Sequence, residues 1–146
     1  AADAVRTMTN IVQHAQLAPN YYSYFSYIRD HSPKPMSMAE AVASCAAKNV
    51  IDLGAALVIA VGTAAGALVS KYHPNATVLV VSHDLQEARQ CSVRFGQQPA
   101  LVPQGTNAEM IEAAVGVAKG RYAFGGGSVI VVCGDQGELE VFVKEV

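Results

Sequence analysis

The sequence has no tryptophan, only three cysteines, no long apolar run and no block of charge of one sign. Each absence excludes something. Cys45, Cys91 and Cys133 are odd in number, lack Cys-x-x-Cys spacing and lie among apolar neighbours, which reads as reduced, buried thiols rather than a disulfide framework. His14, His31, His73 and His83 are far apart, without the i, i+4 pairing of a metal-binding helix, so no metal site is expected. Ten Lys and Arg against twelve Asp and Glu leave a net charge of −2, and the basic residues are scattered singly, without the stripe that a nucleic acid backbone requires. Apolar runs such as Ala55 to Val61 and Thr77 to Val81 fall far short of the roughly 20 residues that span a bilayer. The opening Ala1-Ala2-Asp3-Ala4-Val5-Arg6 shows no basic segment followed by an apolar stretch, so no secretory signal is visible. The expectation is a cytoplasmic protein with neither nucleic acid nor membrane as partner.

What is present is a chain of 146 residues, 51% hydrophobic, long enough to bury a core as a single domain over residues 1–146 without a disulfide or metal. Apolar residues spaced three and four apart predict helices over Asp3 to Leu17 and Tyr21 to His31, the second with Tyr21, Tyr24, Phe25 and Ile28 on one face. Ser37 with Glu40 reads as a capping box opening a helix that Gly54 closes. Short apolar runs, Ala56 to Val61 and Thr77 to Ser82, then alternate with helical stretches Thr63 to Tyr72, Asp84 to Phe95 and Asn107 to Lys119, with a brief strand at Pro99 to Val102. Continuous apolar strands alternating with helices imply a parallel sheet covered on both faces. Ser128 to Cys133 and Leu139 to Val143 are joined too closely for a parallel crossover, so the last strand must be antiparallel. The predicted fold is an α/β three-layer α/β/α sandwich with a mostly parallel five-stranded sheet, preceded by helices.

Ser82-His83-Asp84 has the residue types of a catalytic triad, but triads are assembled from distant loops, and Asp84 reads better as a helix cap. Gly62-Thr63-Ala64-Ala65-Gly66 follows a strand and opens a helix, where unpaired amides and the helix dipole favour an anion. It lacks the dinucleotide fingerprint and the Walker lysine, and a tight turn requiring small side chains explains it as well. Gly125-Gly126-Gly127 precedes a strand and reads as a turn.

The residue order resembles the C-terminal domain of pyruvate kinase along essentially the whole chain. The resemblance is carried by Asp3-Ala4-Val5-Arg6-Thr7-Met8, Glu40-Ala41-Val42-Ala43-Ser44 and Leu68-Val69-Ser70-Lys71-Tyr72-His73-Pro74, with His73 where the family has Arg. Ala88-Arg89-Gln90, Pro99-Ala100-Leu101-Val102 and the closing pair Ser128 to Val132 and Val141 to Val146 continue it. The resemblance implies a structural and regulatory module of a glycolytic phosphotransferase. The parent transfers phosphate from phosphoenolpyruvate to ADP on a barrel with magnesium and potassium ions and a small lid domain. A barrel takes roughly 250 residues, so barrel and lid are expected to be absent, and the chain alone, without cofactor or catalytic residues, to be inactive.

The resemblance further implies a homo-oligomer, tetrameric in the family, and a phosphorylated effector held between the turn after the first strand and the loop joining the last two. The turn places Gly62, Thr63, Ala64 and Ala65 as effector contacts through backbone amides. Ala60, Gly62 and Ala65 stand where the family usually has hydroxyls, the later loop carries Asp135, and the helix from Asn107 supplies Glu109 and Glu112 instead of an Arg. Met8, Tyr21, Tyr24, Phe25, Leu139, Val141 and Val143 are the interface candidates, facing the missing barrel or a neighbouring subunit, and part of the Tyr21, Tyr24 and Phe25 stripe is expected to be exposed. A free-standing phospholigand-binding module or small enzyme of the same fold is the alternative.

Overall fold

The short apolar runs become strands because both of their faces are covered. In the computed structural model, which describes residues 2–16, 20–122, 124–134 and 138–146, β1 (Leu57–Val61), β2 (Thr77–Ser82) and β4 (Ser128–Cys133) form the sheet centre. Side chains alternate across a strand, so Val58, Ala60, Val78, Val80, Ile130 and Val132 enter one core and Leu57, Ile59, Leu79, Val81, Val129 and Val131 the other. α3 (Met38–Leu53), α4 (Thr63–Lys71) and Cys91 of α5 (Leu85–Cys91) cover the first face; α6 (Asn107–Arg121) covers the second. The three-layer α/β/α sandwich follows.

The strand order is β3-β2-β1-β4-β5, with β3 (Gln97–Leu101) and β5 (Glu140–Glu145) at the edges. All neighbours pair in parallel except β4 with β5. α4 and α5 on one face step the chain outward from β1 to β3, and α6 then returns it across the opposite face to β4, as the right-handed crossover rule leads one to expect of parallel strands. The direction of winding therefore reverses between β1 and β4, where two loops part and leave a crevice at the carboxyl ends of the strands.

Two helices precede this sandwich. α2 (Tyr21–His31), capped by Asn20, packs on α3 through Phe25, which is 3% exposed and meets the Tyr72 ring at 5.8 Å. In α1 (Ala2–Gln16) the apolar stripe lies open: Val5, Met8, Ile11 and Val12 are each more than half exposed.

Several boundaries differ from expectation for identifiable reasons. The helix expected from Asp84 to Phe95 is only Leu85–Cys91, since Asp84 is its cap and residues 92–96 turn toward β3. β3 begins earlier, at Gln97, a polar residue buried by a 2.9 Å hydrogen bond to the Ser70 hydroxyl. β5 runs on to Glu145 because pairing with β4 extends to Ser128. Of the expected Ser37 and Glu40 capping box only half forms: Ser37 accepts from the Glu40 amide at 3.2 Å, but the Glu40 carboxylate turns to Lys71 and Tyr72. The complete box is at Thr106 and Glu109, opening α6. Cys45 is exposed, whereas Cys91 and Cys133 are buried as expected. Leu17, Asp135, Gln136 and Gly137 lie outside the described residues.

Candidate functional site

Gly62 sets the geometry of the crevice. At φ 89° and ψ 151° it occupies backbone space that side chains disfavour, and so it turns β1 directly into α4. Its N–H donates to the Val81 carbonyl at 2.9 Å and its carbonyl accepts from the Gly66 amide at 3.2 Å, which starts the helix. The amides of Thr63, Ala64 and Ala65 precede that first intrahelical bond and carry no side-chain cap. They border a cavity of about 540 Å³ closed by Leu68, by Gly134 after β4 and by Leu139 before β5. The four residues named from the turn, Gly62, Thr63, Ala64 and Ala65, thus line one cavity at the reversal point of the sheet.

Packing explains the small side chains in α4. A Cβ on Gly66 would lie 2.6 Å from Cγ2 of Val80, so only glycine lets α4 lie this close to β2. A second cleft of about 380 Å³, on the α6 side, shares Val61, Gly62, Glu87 and Gly134 with the first and is walled by Ser82, His83, Gln104 and Asn107.

Glu87 borders both spaces, and sequence reasoning missed it. Its amide donates to the Asp84 cap at 2.9 Å, so in the sequence it looks like one more helix-start residue; its carboxylate instead accepts from the Ser82 hydroxyl at 2.7 Å and faces the crevice. Among the described residues no Lys or Arg lines the larger cavity. Arg94 approaches only to donate to the Thr63 carbonyl at 3.4 Å. Among the described residues, the crevice offers an anion backbone amides and a helix dipole, set against the negative charge of Glu87.

Ser82, His83 and Asp84 do not form a triad: Ser82 is bound to Glu87 and to the Asp84 amide, and Asp84 caps α5. Among the described residues no cluster of His, Cys, Asp or Glu is arranged to hold a metal. Burial pushes the Cys91 thiol up, and burial together with the Glu140 charge does the same to Cys133, keeping both as unreactive thiols. No helix among the described residues is long and apolar enough to cross a membrane.

The interface candidates fall into two sets. Met8 and Tyr24 are exposed, Tyr24 lying 6.3 Å from the His73 ring, and Val143 is 44% exposed on the free edge. Phe25 and Leu139 are buried by the chain's own fold, while Tyr21 and Val141 are half-buried. Beneath α2, Glu40 accepts hydrogen bonds from Lys71, at 2.7 Å, and from the fully buried Tyr72. Burial opposes the charge of Glu40, but those hydrogen bonds outweigh it and hold the carboxyl below its ordinary value. Burial, then the bond to Glu40 and its charge, push the Tyr72 phenol up to about 12.

The family model described as "Pyruvate kinase, alpha/beta domain" matches residues 40–140. Pyruvate kinase of Dictyostelium discoideum is 33% identical over 141 residues, covering 90% of this chain and 27% of that protein. Pyruvate kinase of Leishmania mexicana is 38% identical over 96 residues, covering 64% of the chain and 19% of its own length. The crystal structure of a pyruvate kinase from Cryptosporidium parvum superposes with a TM-score of 0.88 at 25% identity, covering 97% of this chain and 30% of that one. The chain therefore spans about a quarter of the length of such relatives. With family model, sequence and fold in agreement, the chain belongs to the pyruvate kinase family, as its C-terminal alpha/beta domain.

Proposed function

We propose that residues 1–146 act as one assembly and effector-sensing domain of a cytoplasmic pyruvate kinase and do not catalyse phosphoryl transfer themselves. In this reading the barrel and lid, with their magnesium and potassium ions, lie outside these residues. The observations that carry the reading are the open apolar stripe of α1, Val5, Met8, Ile11 and Val12, and, elsewhere in the fold, the free edge of β5. A contiguous exposed apolar stripe marks an interaction surface, and an unpaired strand edge is a template for a second copy across a two-fold axis. Sedimentation equilibrium tests it. The chain is expected to self-associate, and Ile11→Asp to shift it toward monomer; a chain that stays monomeric up to its solubility limit, unaffected by the substitution, overturns the assembly role.

Effector sensing rests on the crevice. The amides of Thr63 to Ala65 suit one phosphate, and Glu87 between the two spaces disfavours a ligand with phosphates in both. A sugar monophosphate, with hydroxyls to donate to Glu87, fits better than a bisphosphate. Calorimetric titration with sugar monophosphates, fructose bisphosphates, AMP and plain phosphate is expected to show weak saturable binding, tightest for a monophosphate. Thr63→Pro deletes one amide donor at a position where proline suits a helix start and should weaken that binding. Absence of heat from all four ligands would leave assembly as the only role.

A further inference from the structure

A separate cleft lies between α2 and α3, with a volume of about 520 Å³, and Phe25, whose ring also meets Tyr72, is part of its lining. It draws on nothing in the crevice at the strand ends. Tyr22, Phe25 and Arg29 stand three and four residues apart, so they share one helical face; Lys48 of α3 and Lys34 of the α2 to α3 connection complete the wall, with Asp30 at its side. With Lys48 answered by Asp52, Arg29 and Lys34 against Asp30 still leave a positive local balance in a chain whose net charge is −2.

Two of the three cations are not consumed by the fold. Lys48 is paired with Asp52 one turn along α3, but the side chains of Arg29 and Lys34 have no hydrogen bond or ion pair among the described residues. The guanidinium of the exposed Arg29 is placed 6.0 Å from the centroid of the buried Phe25 ring, which steadies it beside the cleft. A guanidinium fork with an ammonium beside it suits two or three oxygens of one tetrahedral dianion. The Tyr22 ring, 55% exposed at the rim, offers a flat apolar surface for whatever carries that anion.

We propose that this cleft is a binding site for a phosphate monoester bearing a planar ring, with Arg29 and Lys34 holding the phosphate and Tyr22 stacking on the ring. The size suits such a ligand, since small-molecule sites span about 300 to 1,000 Å³. Lys48 adds long-range attraction through a charge already half-answered by Asp52. Asp30 selects against ligands with a second anionic group.

The test is titration of the isotope-labelled 146-residue chain with phenyl phosphate and, separately, inorganic phosphate, following backbone amide shifts. Phenyl phosphate should shift amides around residues 22–36 and 48 in a saturable way, more tightly than inorganic phosphate. Lys34→Gln alone, and Arg29→Gln with Lys34→Gln, should weaken that response, the double variant by about tenfold or more, on the loss of charge-assisted hydrogen bonds. Both positions lie at the surface, so unchanged amide positions elsewhere establish that the fold is intact. Shifts confined to residues 62–66 would report the crevice alone and overturn this site while leaving the effector reading standing. Affinity in the double variant within twofold of the parent would overturn it as well, and equal affinity for the two phosphates would remove Tyr22 and the ring.

Discussion

α1 and α3 are written in the same pattern and meet opposite environments. Both are amphipathic, 15 and 16 residues long. α3 buries Ala43, Ala46, Ala47 and Val50 almost completely against the sheet, while α1 leaves Val5, Met8 and Ile11 in solvent. The difference lies in what each stripe is shaped to meet. Alanines let α3 approach a sheet closely, as its contacts with β1 and β4 require; the longer side chains of α1 suit a looser, interdigitating partner. Periodicity specifies a helix with an apolar face and says nothing of what covers that face.

Substitutions ordered by size sharpen this contrast. Val50→Asp in α3 places an unpaired carboxylate in the core and is expected to cost roughly 3 to 5 kcal/mol. Urea unfolding measures it, and a cost below about 1 kcal/mol would mean that α3 is no better packed than α1.

The sheet and its helices were legible in the sequence because strands buried on both faces have few alternatives: Val58 to Val61, Thr77 to Ser82 and Ser128 to Cys133 admit no polar position until their ends. β3 was harder to place, since Gln97 and Gln98 look like loop residues until the Ser70 hydroxyl is brought to Gln97 by α4. The turn at Gly62 was legible as a strand-to-helix joint. Glu87 was not, because its sequence neighbours explain it as a cap partner, and only the crossover of α5 brings it to the crevice.

Next in size is Gly66→Ala, which pushes a methyl into Val80 and so forces α4 off β2. The expected loss is about 1 to 3 kcal/mol by urea unfolding. An unchanged midpoint would show that α4 moves away freely, and that the crevice it borders is soft.

Tyr72→Phe removes one hydrogen bond from Glu40 beneath α2 and should cost about 1 to 2 kcal/mol at neutral pH. The titration gives a second readout. The Tyr72 phenol is raised from its ordinary 10 to about 12 in the folded chain. Its stabilising contribution is therefore complete below pH 10 and is lost as pH rises toward 12. Glu40 works the other way: its lowered value makes its contribution complete above pH 4.5, and that contribution fades as pH falls through the folded value. The parent should lose stability between pH 10 and 12 more steeply than Tyr72→Phe, and parallel curves would detach Tyr72 from this link.

The smallest effect is expected in α1. Ile11→Asp should change the stability of the separate chain by no more than about 0.5 kcal/mol, because nothing in the described fold covers that side chain. A larger loss would mean that α1 is already packed in solution.

The pairing of β1 with β4 carries one more consequence. Leu57 and Val129 are partners across the sheet centre, about seventy residues apart in sequence, whereas β4 and β5 meet through a short hairpin. Closing a loop of that length costs on the order of 4 kcal/mol of chain entropy, so the central seam costs more entropy to form than the hairpin. The crevice opens where that seam ends. A ligand seated there would recognise only chains in which that long-range pairing has formed.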